Sequence, residues 1–271
     1  MDEYDSVGRS LPRLDSGQKA AGRCSFTGDM RWPRMLYGGI LRSAVPHARI
    51  VHVDTTRAAR LPGVKAVVTG KDTAGIPHGL VTEYRDKLPL AIDKVRYIGD
   101  DIAAVAAVDE DTAEEALHLI DLELEEPPAV FDPQEAMRPG APDIHEHVEW
   151  NISRRVVADL GQVDEAFRVA HYVREDTFTT QTQSHAPLET HVSISQWDPS
   201  GGLTVWTSTQ TPFYIQEDLA ETLQLPRSMV RVIKPPTGGA FGGKSGMEPP
   251  DFCSALLSMK TGCPVRIIYS R

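Results

Sequence analysis

The segment Thr237–Lys244 constrains this chain more than any other part of its 271 residues. It reads Thr-Gly-Gly-Ala-Phe-Gly-Gly-Lys, so that four glycines surround one aromatic residue. Because glycine has no Cβ and accepts positive φ, such a segment can approach a bound group closely and aim successive backbone N–H groups at it. This segment, called the glycine loop below, therefore predicts a cradle for an anion or an oxo ligand.

A phosphate-binding loop is one alternative, because Gly238–Ser245 satisfies the pattern G-x-x-x-x-G-K-[ST]. A loop of that kind opens directly into a helix whose N-terminus faces the phosphate, and Pro249 and Pro250 fall where the first turns of that helix would lie. The sequence after Lys244 is also too short to supply the later strands and the second magnesium carboxylate of an NTPase. A P-loop NTPase is therefore the less favoured interpretation.

Composition excludes several classes of protein. The chain is 41% hydrophobic and 24% charged, which is typical of a globular protein with one large or two modest domains. Its net charge of −10 and the lack of a basic run argue against nucleic-acid binding. No apolar run approaches the length of a membrane span, and the acidic start Met1–Asp5 is unlike a signal peptide, so we expect a cytoplasmic protein with no membrane contact. Its three cysteines are scattered without a C-x-x-C pair, which disfavours disulfides and any iron–sulfur or zinc site in this polypeptide.

Short apolar runs alternate with helical patterns in the first half, which predicts a mixed α/β domain over residues 1–130. Ile102–Val108 is apolar throughout and predicts a central strand, and the following segment, Asp111–Leu119, predicts a helix with acidic residues in its first turn. The other segments predicted here are strands at Leu36–Arg42, Arg49–Asp54, Val64–Thr69 and Ile120–Leu124, and a short helix from Thr55 to Arg60.

Residues 131–147 are rich in proline and predict a linker, and a second domain is expected over 148–271. Its predicted helices are Gly161–Ala170, with Val163, Ala166 and Phe167 facing inward, Pro212–Leu223 and Asp251–Lys260. Its predicted strands are Tyr172–Thr179, Thr190–Gln196, Leu203–Ser208, Met229–Lys234 and Pro264–Tyr269. Because the last strand comes close to residue 271, we expect an unfinished second core with an unpaired sheet edge, and hence an incomplete chain.

The sequence resembles a known family along nearly its whole length: the molybdenum-cofactor subunit of xanthine dehydrogenase, aldehyde oxidase and hydroxybenzoyl-CoA reductase. The resembling segments are Gly8 to Gly22 with Asp29, Leu41–Ser43, His47–Ile50, Pro62–Val64, Asp93–Asp100, Leu188–His191, Thr207–Gln210, Gly238–Lys244 and Thr261–Arg266. The resemblance implies an α/β (α+β) fold, with an α/β hammerhead domain followed by the first, incomplete part of a molybdopterin-binding domain.

By that resemblance, Gln210 is the glutamine whose side-chain amide contacts an oxo ligand of molybdenum, and Phe241 lies beside the metal with its main chain; neither is a direct metal ligand. Gly238, Gly239, Ala240 and Gly242 complete the implied cofactor-binding residues. An amide N–H can stabilise an oxo group without acting as an acid, and a backbone N–H is a dipole aimed in advance at developing charge. Taken without the resemblance, Gln210 is more simply a surface residue and Phe241 a packing residue.

Two positions depart from the family pattern. Ala240 stands where a third glycine is usual, and because alanine tolerates positive φ less well, we expect a small shift of the loop. Ser245 stands where purine-oxidising relatives carry a glutamate, which favours an aromatic, heteroaromatic or aldehyde substrate over a purine.

The resemblance also implies cofactors and partners. Molybdenum-molybdopterin is expected, with the cytosine dinucleotide form as one option, and iron–sulfur clusters and FAD are expected on separate subunits. The glutamate general base and most pterin contacts belong to later family sequence, so no catalytic residue is assigned here and a further polypeptide carrying the rest of the cofactor domain is expected beside the small-molecule substrate. The alternatives are a non-catalytic assembly or docking module and a truncated remnant.

His185, Glu189 and His191 form a cluster of metal-ligating residue types, His-x-x-x-Glu-x-His. The family resemblance places this segment in a strand that enters the second domain, so we expect a structural role for it and disfavour a metal site.

Overall fold

The computed structural model describes residues 6–81 and 85–271; the acidic segment Met1–Asp5, used above against a signal peptide, lies outside them. Strands and helices alternate before residue 130, as predicted for a mixed α/β region. These elements are α1 (Ser16–Ala20), β1 (Leu36–Arg42), β2 (Ala48–Asp54), α2 (Thr56–Arg60), β3 (Val64–Thr69), β4 (Lys94–Val95), β5 (Asp101–Ala107), α3 (Glu110–His118) and β6 (Asp121–Glu125).

Two segments of this region follow their sequence signals closely. All seven residues of β5 are buried, and β5 lies between β3 and β1, which confirms the predicted central strand. Helix α3 begins with Asp109 as its N-cap, whose carboxylate accepts a hydrogen bond from the Thr112 N–H, and it buries Ala113 and Ala116.

The later elements are α4 (Pro133–Ala136), α5 (Val163–Val169), β7 (Val192–Asp198), β8 (Gly202–Thr207), α6 (Pro212–Thr222), β9 (Val230–Ile233), α7 (Pro249–Thr261) and β10 (Val265–Ile268). Strand β7 begins two residues later than predicted, because the segment leading into it is irregular. Helix α7 begins two residues earlier than predicted, because its prolines occupy the first turn, where a missing N–H removes no helical hydrogen bond.

Strands from both halves of the chain form one seven-stranded sheet in the order β3-β5-β1-β10-β7-β8-β9, and a smaller sheet has the order β4-β2-β6. Strand β10 pairs in parallel with β1, with Leu36 opposite Val265, and antiparallel with β7 on its other side. The expected unpaired edge at the last strand is therefore wrong, because the partner that satisfies β10 comes from the first half of the chain. Strands β3 and β9 are the edges of this sheet.

Helix α7 covers this sheet and packs against β7, β10, β3 and β5. Phe252 and Leu257 of α7 lie in the same apolar cluster as Leu36 of β1 and Val68 of β3. The core therefore joins the two halves of the chain and holds α7, the helix that follows the glycine loop.

The segment from residue 152 to residue 186 departs from the predictions. Every residue in this range is exposed, and it contains no strand, so the strand predicted at Tyr172–Thr179 is wrong. Helix α5 forms near the predicted position but buries none of its residues, so the predicted inward stripe is also wrong: Val163 is 42% exposed and Phe167 62%. The helical pattern identified an apolar face correctly, but nothing among the described residues covers that face.

No helix within the described residues is both long and apolar enough to span a membrane.

Candidate functional site

The glycine loop connects β9 to the segment before α7, and its exposed tip has an unusual backbone. Gly239 and Gly242 have φ angles of +97° and +93°, which glycine adopts without strain. Phe241 lies between them at φ +53° and is 74% exposed. A bulky residue in this region of φ/ψ space costs free energy, and residues strained in this way cluster at functional sites, so the exposed tip is a candidate binding surface.

The two outer glycines are needed for a different reason, the close approach of neighbouring side chains. A Cβ at Gly238 would lie 2.7 Å from Cβ of Glu189, and a Cβ at Gly243 would lie 2.8 Å from Cγ of His185. Ala240 is buried and has no positive φ, so the shift expected from its methyl group is not required by the backbone.

Gln210 lies between β8 and α6 and turns its side chain to the tip of the loop. Its backbone N–H donates to the carbonyl of Lys244 at 2.8 Å. Its side-chain Oε1 accepts from the backbone N–H of Gly242 at 3.1 Å and from the Ser245 hydroxyl at 3.2 Å. Because a backbone N–H can only donate, this contact fixes which side of the amide is oxygen. Neither side-chain N–H group has a partner among the residues that the structure describes, so both can donate to a ligand.

Lys244 does not point outward as a phosphate-binding lysine would. Its side chain is 1% exposed, and Nζ donates to the carbonyl and to Oε2 of Glu189, both at 2.9 Å. Helix α7 begins only at Pro249, so the loop does not open directly into a helix. These two observations disfavour the P-loop interpretation of Gly238–Ser245.

The residues of the predicted His and Glu cluster all contact the glycine loop, each in a different way. The ring of His185 faces Gly243, and Nε2 of His191 donates to the Gly243 carbonyl at 2.8 Å. Burial lowers the pKa of His191, which favours the neutral ring with its proton on Nε2. Glu189 is paired with Lys244. Within the described residues no group of three or more His, Cys, Asp or Glu side chains is arranged to hold a metal ion.

The sequence pointed to Gln210 and to the glycine loop, and the structure brings them into contact. The sequence did not indicate that Glu189, His191 and Lys244 support the loop. One local signal for these supporting residues was present: His and Glu are concentrated just before an apolar strand. Polar side chains in a buried setting need hydrogen-bond partners, so such a concentration indicates buried polar contacts.

Comparisons with known proteins identify a domain of one enzyme family in each of two regions of the chain. Residues 21–128 match the family model for the aldehyde oxidase and xanthine dehydrogenase a/b hammerhead domain, and residues 144–271 match the molybdopterin cofactor-binding domain. The chain belongs to the molybdenum-cofactor subunit family of xanthine dehydrogenase and aldehyde oxidase.

Individual members of the family match over nearly all of this chain. A probable xanthine dehydrogenase subunit of Bacillus subtilis is 39% identical over 97% of the chain and 35% of its own length. The nicotinate dehydrogenase large molybdopterin subunit of Eubacterium barkeri is 39% identical over 99% of the chain and 62% of its own length. The crystal structure of quinoline 2-oxidoreductase from Pseudomonas putida 86 superposes with a TM-score of 0.90 at 30% identity, over 99% of this chain and 35% of that one. The 271 residues thus span between about a third and three fifths of the relatives they match.

Proposed function

We propose that this chain builds one wall of the molybdenum-cofactor site in a molybdenum-dependent oxidoreductase. The contact that carries the proposal joins Oε1 of Gln210 to the Gly242 N–H, because it holds the side-chain amide with its two donors free at an exposed, glycine-walled surface. When bound, the cofactor would supply oxygen-transfer and two-electron redox chemistry. Gln210 would donate a hydrogen bond to its oxygen-bearing face, and Phe241, Ala240, Gly238 and Gly239 would form the backbone wall beside it.

The residues present suit an oxygen-rich group that carries negative charge. Hydrogen-bond donors held in place before the ligand arrives stabilise charge at little reorganisation cost. Neither Gln210 nor Phe241 offers the soft or anionic ligand that would bind the metal directly. Both residues are therefore proposed to lie near the metal without coordinating it.

We further propose that the site is completed by polypeptide equivalent to the part of the relatives beyond the matched region, which would bring the catalytic base and most pterin contacts. The exposed segment 152–186 supports a partner of this kind. Its large apolar side chains are 37% or more exposed along an extended path, and so many exposed apolar groups in one segment are typical of a contact surface. These side chains belong to Ile152, Val156, Val157, Leu160, Val163, Phe167, Val169, Tyr172, Val173 and Phe178.

The proposed assembly also includes an iron–sulfur subunit and an FAD subunit, and the cytosine dinucleotide form of the pterin is one option for the cofactor. For the substrate we propose an aromatic, heteroaromatic or aldehyde compound. Support comes from Ser245, which stands where purine-oxidising relatives carry a glutamate. Its hydroxyl donates to Gln210, and the position offers no carboxylate to bind a purine. A docking module without catalysis is the alternative, and the exposed segment 152–186 is the observation that favours it.

Turnover by the assembled complex distinguishes the two. Gln210→Ala should lower kcat by about 10²- to 10³-fold while the molybdenum content stays that of the wild type, because a donor to developing charge is lost. Gln196→Ala, which removes an exposed glutamine from β7, is the matched control and should leave kcat unchanged. Equal turnover by the Gln210→Ala variant and the wild type would refute the catalytic role and leave docking as the function.

A further inference from the structure

The lysine of the apparent phosphate-binding pattern is buried and serves a purpose that the pattern does not describe. The ammonium group of Lys244 is removed from water and donates two hydrogen bonds to one residue, Glu189. A buried ammonium is strongly unfavourable without an opposite charge and hydrogen-bond partners, so the two side chains depend on each other.

Glu189 binds the opposite end of the glycine loop. Its Oε2 accepts the Gly238 N–H at 2.8 Å, and its backbone N–H donates to the Gly238 carbonyl at 3.2 Å. Its other carboxylate oxygen, Oε1, is buried without a hydrogen-bond partner among the described residues, so its charge is compensated through Oε2. One carboxylate oxygen thus joins Gly238, the second residue of the loop, to Lys244, its last residue.

The main chain of Lys244 extends this connection to the proposed cofactor contact. Its carbonyl accepts the backbone N–H of Gln210 at 2.8 Å and the Thr209 hydroxyl at 3.2 Å. The position of Lys244 therefore determines where the backbone of Gln210 lies. It also holds the end of the loop whose Gly242 N–H donates to the Gln210 side chain.

We propose that the buried Glu189–Lys244 pair is a positioning lock: it clamps the two ends of the glycine loop so that the Gly242 N–H stays bonded to Oε1 of Gln210 and the N–H groups of the Gln210 amide face the cofactor. Neither residue touches the ligand. The inference rests on the proposed function for its purpose, but the clamping itself is a property of this chain and is measurable without molybdenum.

Hydrogen–deuterium exchange on the full 271-residue chain tests the lock directly. Lys244→Met removes the charge and keeps most of the side-chain length; it should speed exchange of the Gly238 and Gly242 amides by about tenfold, the effect of losing roughly one hydrogen bond's protection. Amides in β5 and β10 should keep their wild-type protection. Lys260→Met is the matched control, since it removes a lysine that pairs with Asp72 at 2.5 Å in the last turn of α7. Wild-type protection at Gly238 and Gly242 in the Lys244→Met chain would overturn the lock.

A second variant covers the case in which Lys244→Met alone prevents folding. Glu189→Gln combined with Lys244→Met leaves no uncompensated buried charge and keeps an acceptor for Gly238, so this chain should fold. The lock predicts fast exchange at Gly242 in it as well, and wild-type exchange there would refute the proposal.

The assembled complex separates the lock from the proposed function. Substitution at Lys244 should lower kcat with little change in KM and alter the electron paramagnetic resonance signal of partly reduced molybdenum, since the lock acts on the geometry beside the metal. If Gln210→Ala leaves turnover unchanged while Lys244→Met loosens the loop, the lock stands and the proposed function fails. If Gln210→Ala lowers turnover while Lys244→Met changes neither exchange nor kcat, the function stands and the lock fails.

Discussion

Gly238→Ala is the substitution whose cost can be worked most directly from the structure. The added Cβ would lie 2.7 Å from Cβ of Glu189, whereas carbon atoms in ordinary contact are about 3.5–4.0 Å apart, so roughly 1 Å must be absorbed. Glu189 cannot turn away easily, because the contact is at its Cβ and its carboxylate is held by Lys244 and by Gly238 itself. Backbone strain does not contribute, since Gly238 has no positive φ.

Overpacking of this kind costs about 1–3 kcal/mol of the free energy of unfolding. For a chain of this size each kcal/mol lowers Tm by about 2–4 °C, so we expect a fall of roughly 2–12 °C in scanning calorimetry. Gly246→Ala is the matched control: no atom lies within 4 Å of its added Cβ and its φ is not positive, so its Tm should equal or slightly exceed that of the wild type. Equal Tm values for the two variants would show that the loop moves away from Glu189 at no cost, and would refute the reasoning.

Two further predictions concern stability. Burial raises the pKa of the Asp251 carboxyl in the first turn of α7 from 3.8 to about 6, so the folded chain binds more protons than the unfolded chain between these values and wild-type stability falls as pH rises through this window. The Asp251→Asn side chain is uncharged at every pH. The free energy of unfolding of this variant, measured in urea, should therefore rise relative to that of the wild type by up to about 3 kcal/mol between about pH 4 and pH 7. A stability difference that does not change with pH would contradict the raised pKa of Asp251. Gln224 follows the end of α6 at φ +54°, with its N–H and that of Leu225 bonded to the carbonyls of Glu221 and Ala220. Since glycine is favoured at this position, Gln224→Gly should stabilise the chain by about 0.5–1 kcal/mol, and a lower denaturation midpoint would show that the side chain matters more than the backbone.

Elements with a strong local signal could be predicted from the sequence, and those that depend on a distant partner could not. Leu36–Arg42 and Val64–Thr69 match β1 and β3 residue for residue, because short apolar runs and the turn residues that bound them act within a few positions. The apolar face of α5 was equally visible, but a pattern does not state whether its partner lies in the same chain. The placement of β10 beside β1 joins residues more than two hundred positions apart and has no local signature.

The site divides in the same way. Glycines that need positive φ or close approach gave a clear signal in the loop, and Gln210 became a candidate only through the resemblance of the chain to a family. The partners of Lys244 could not be read from its neighbours, because the residue that binds it precedes it by 55 positions. The local pattern matched a phosphate-binding loop formally, Pro249 and Pro250 already argued against one, and the burial of the Lys244 side chain adds an observation that the sequence could not supply.

The arrangement of the sheet explains why such a loop can keep an exposed and strained tip. One end of the loop continues β9, and the other leads to α7, which packs on strands from both halves of the chain. The third point of attachment is Glu189, three residues before β7, which itself pairs with β10. All three attachments belong to one sheet and its covering helix, so the loop ends cannot separate unless that core opens. Phe241 can therefore remain at positive φ, because the free energy that holds it there comes from buried contacts at the two ends of the loop and none is required from the exposed tip itself.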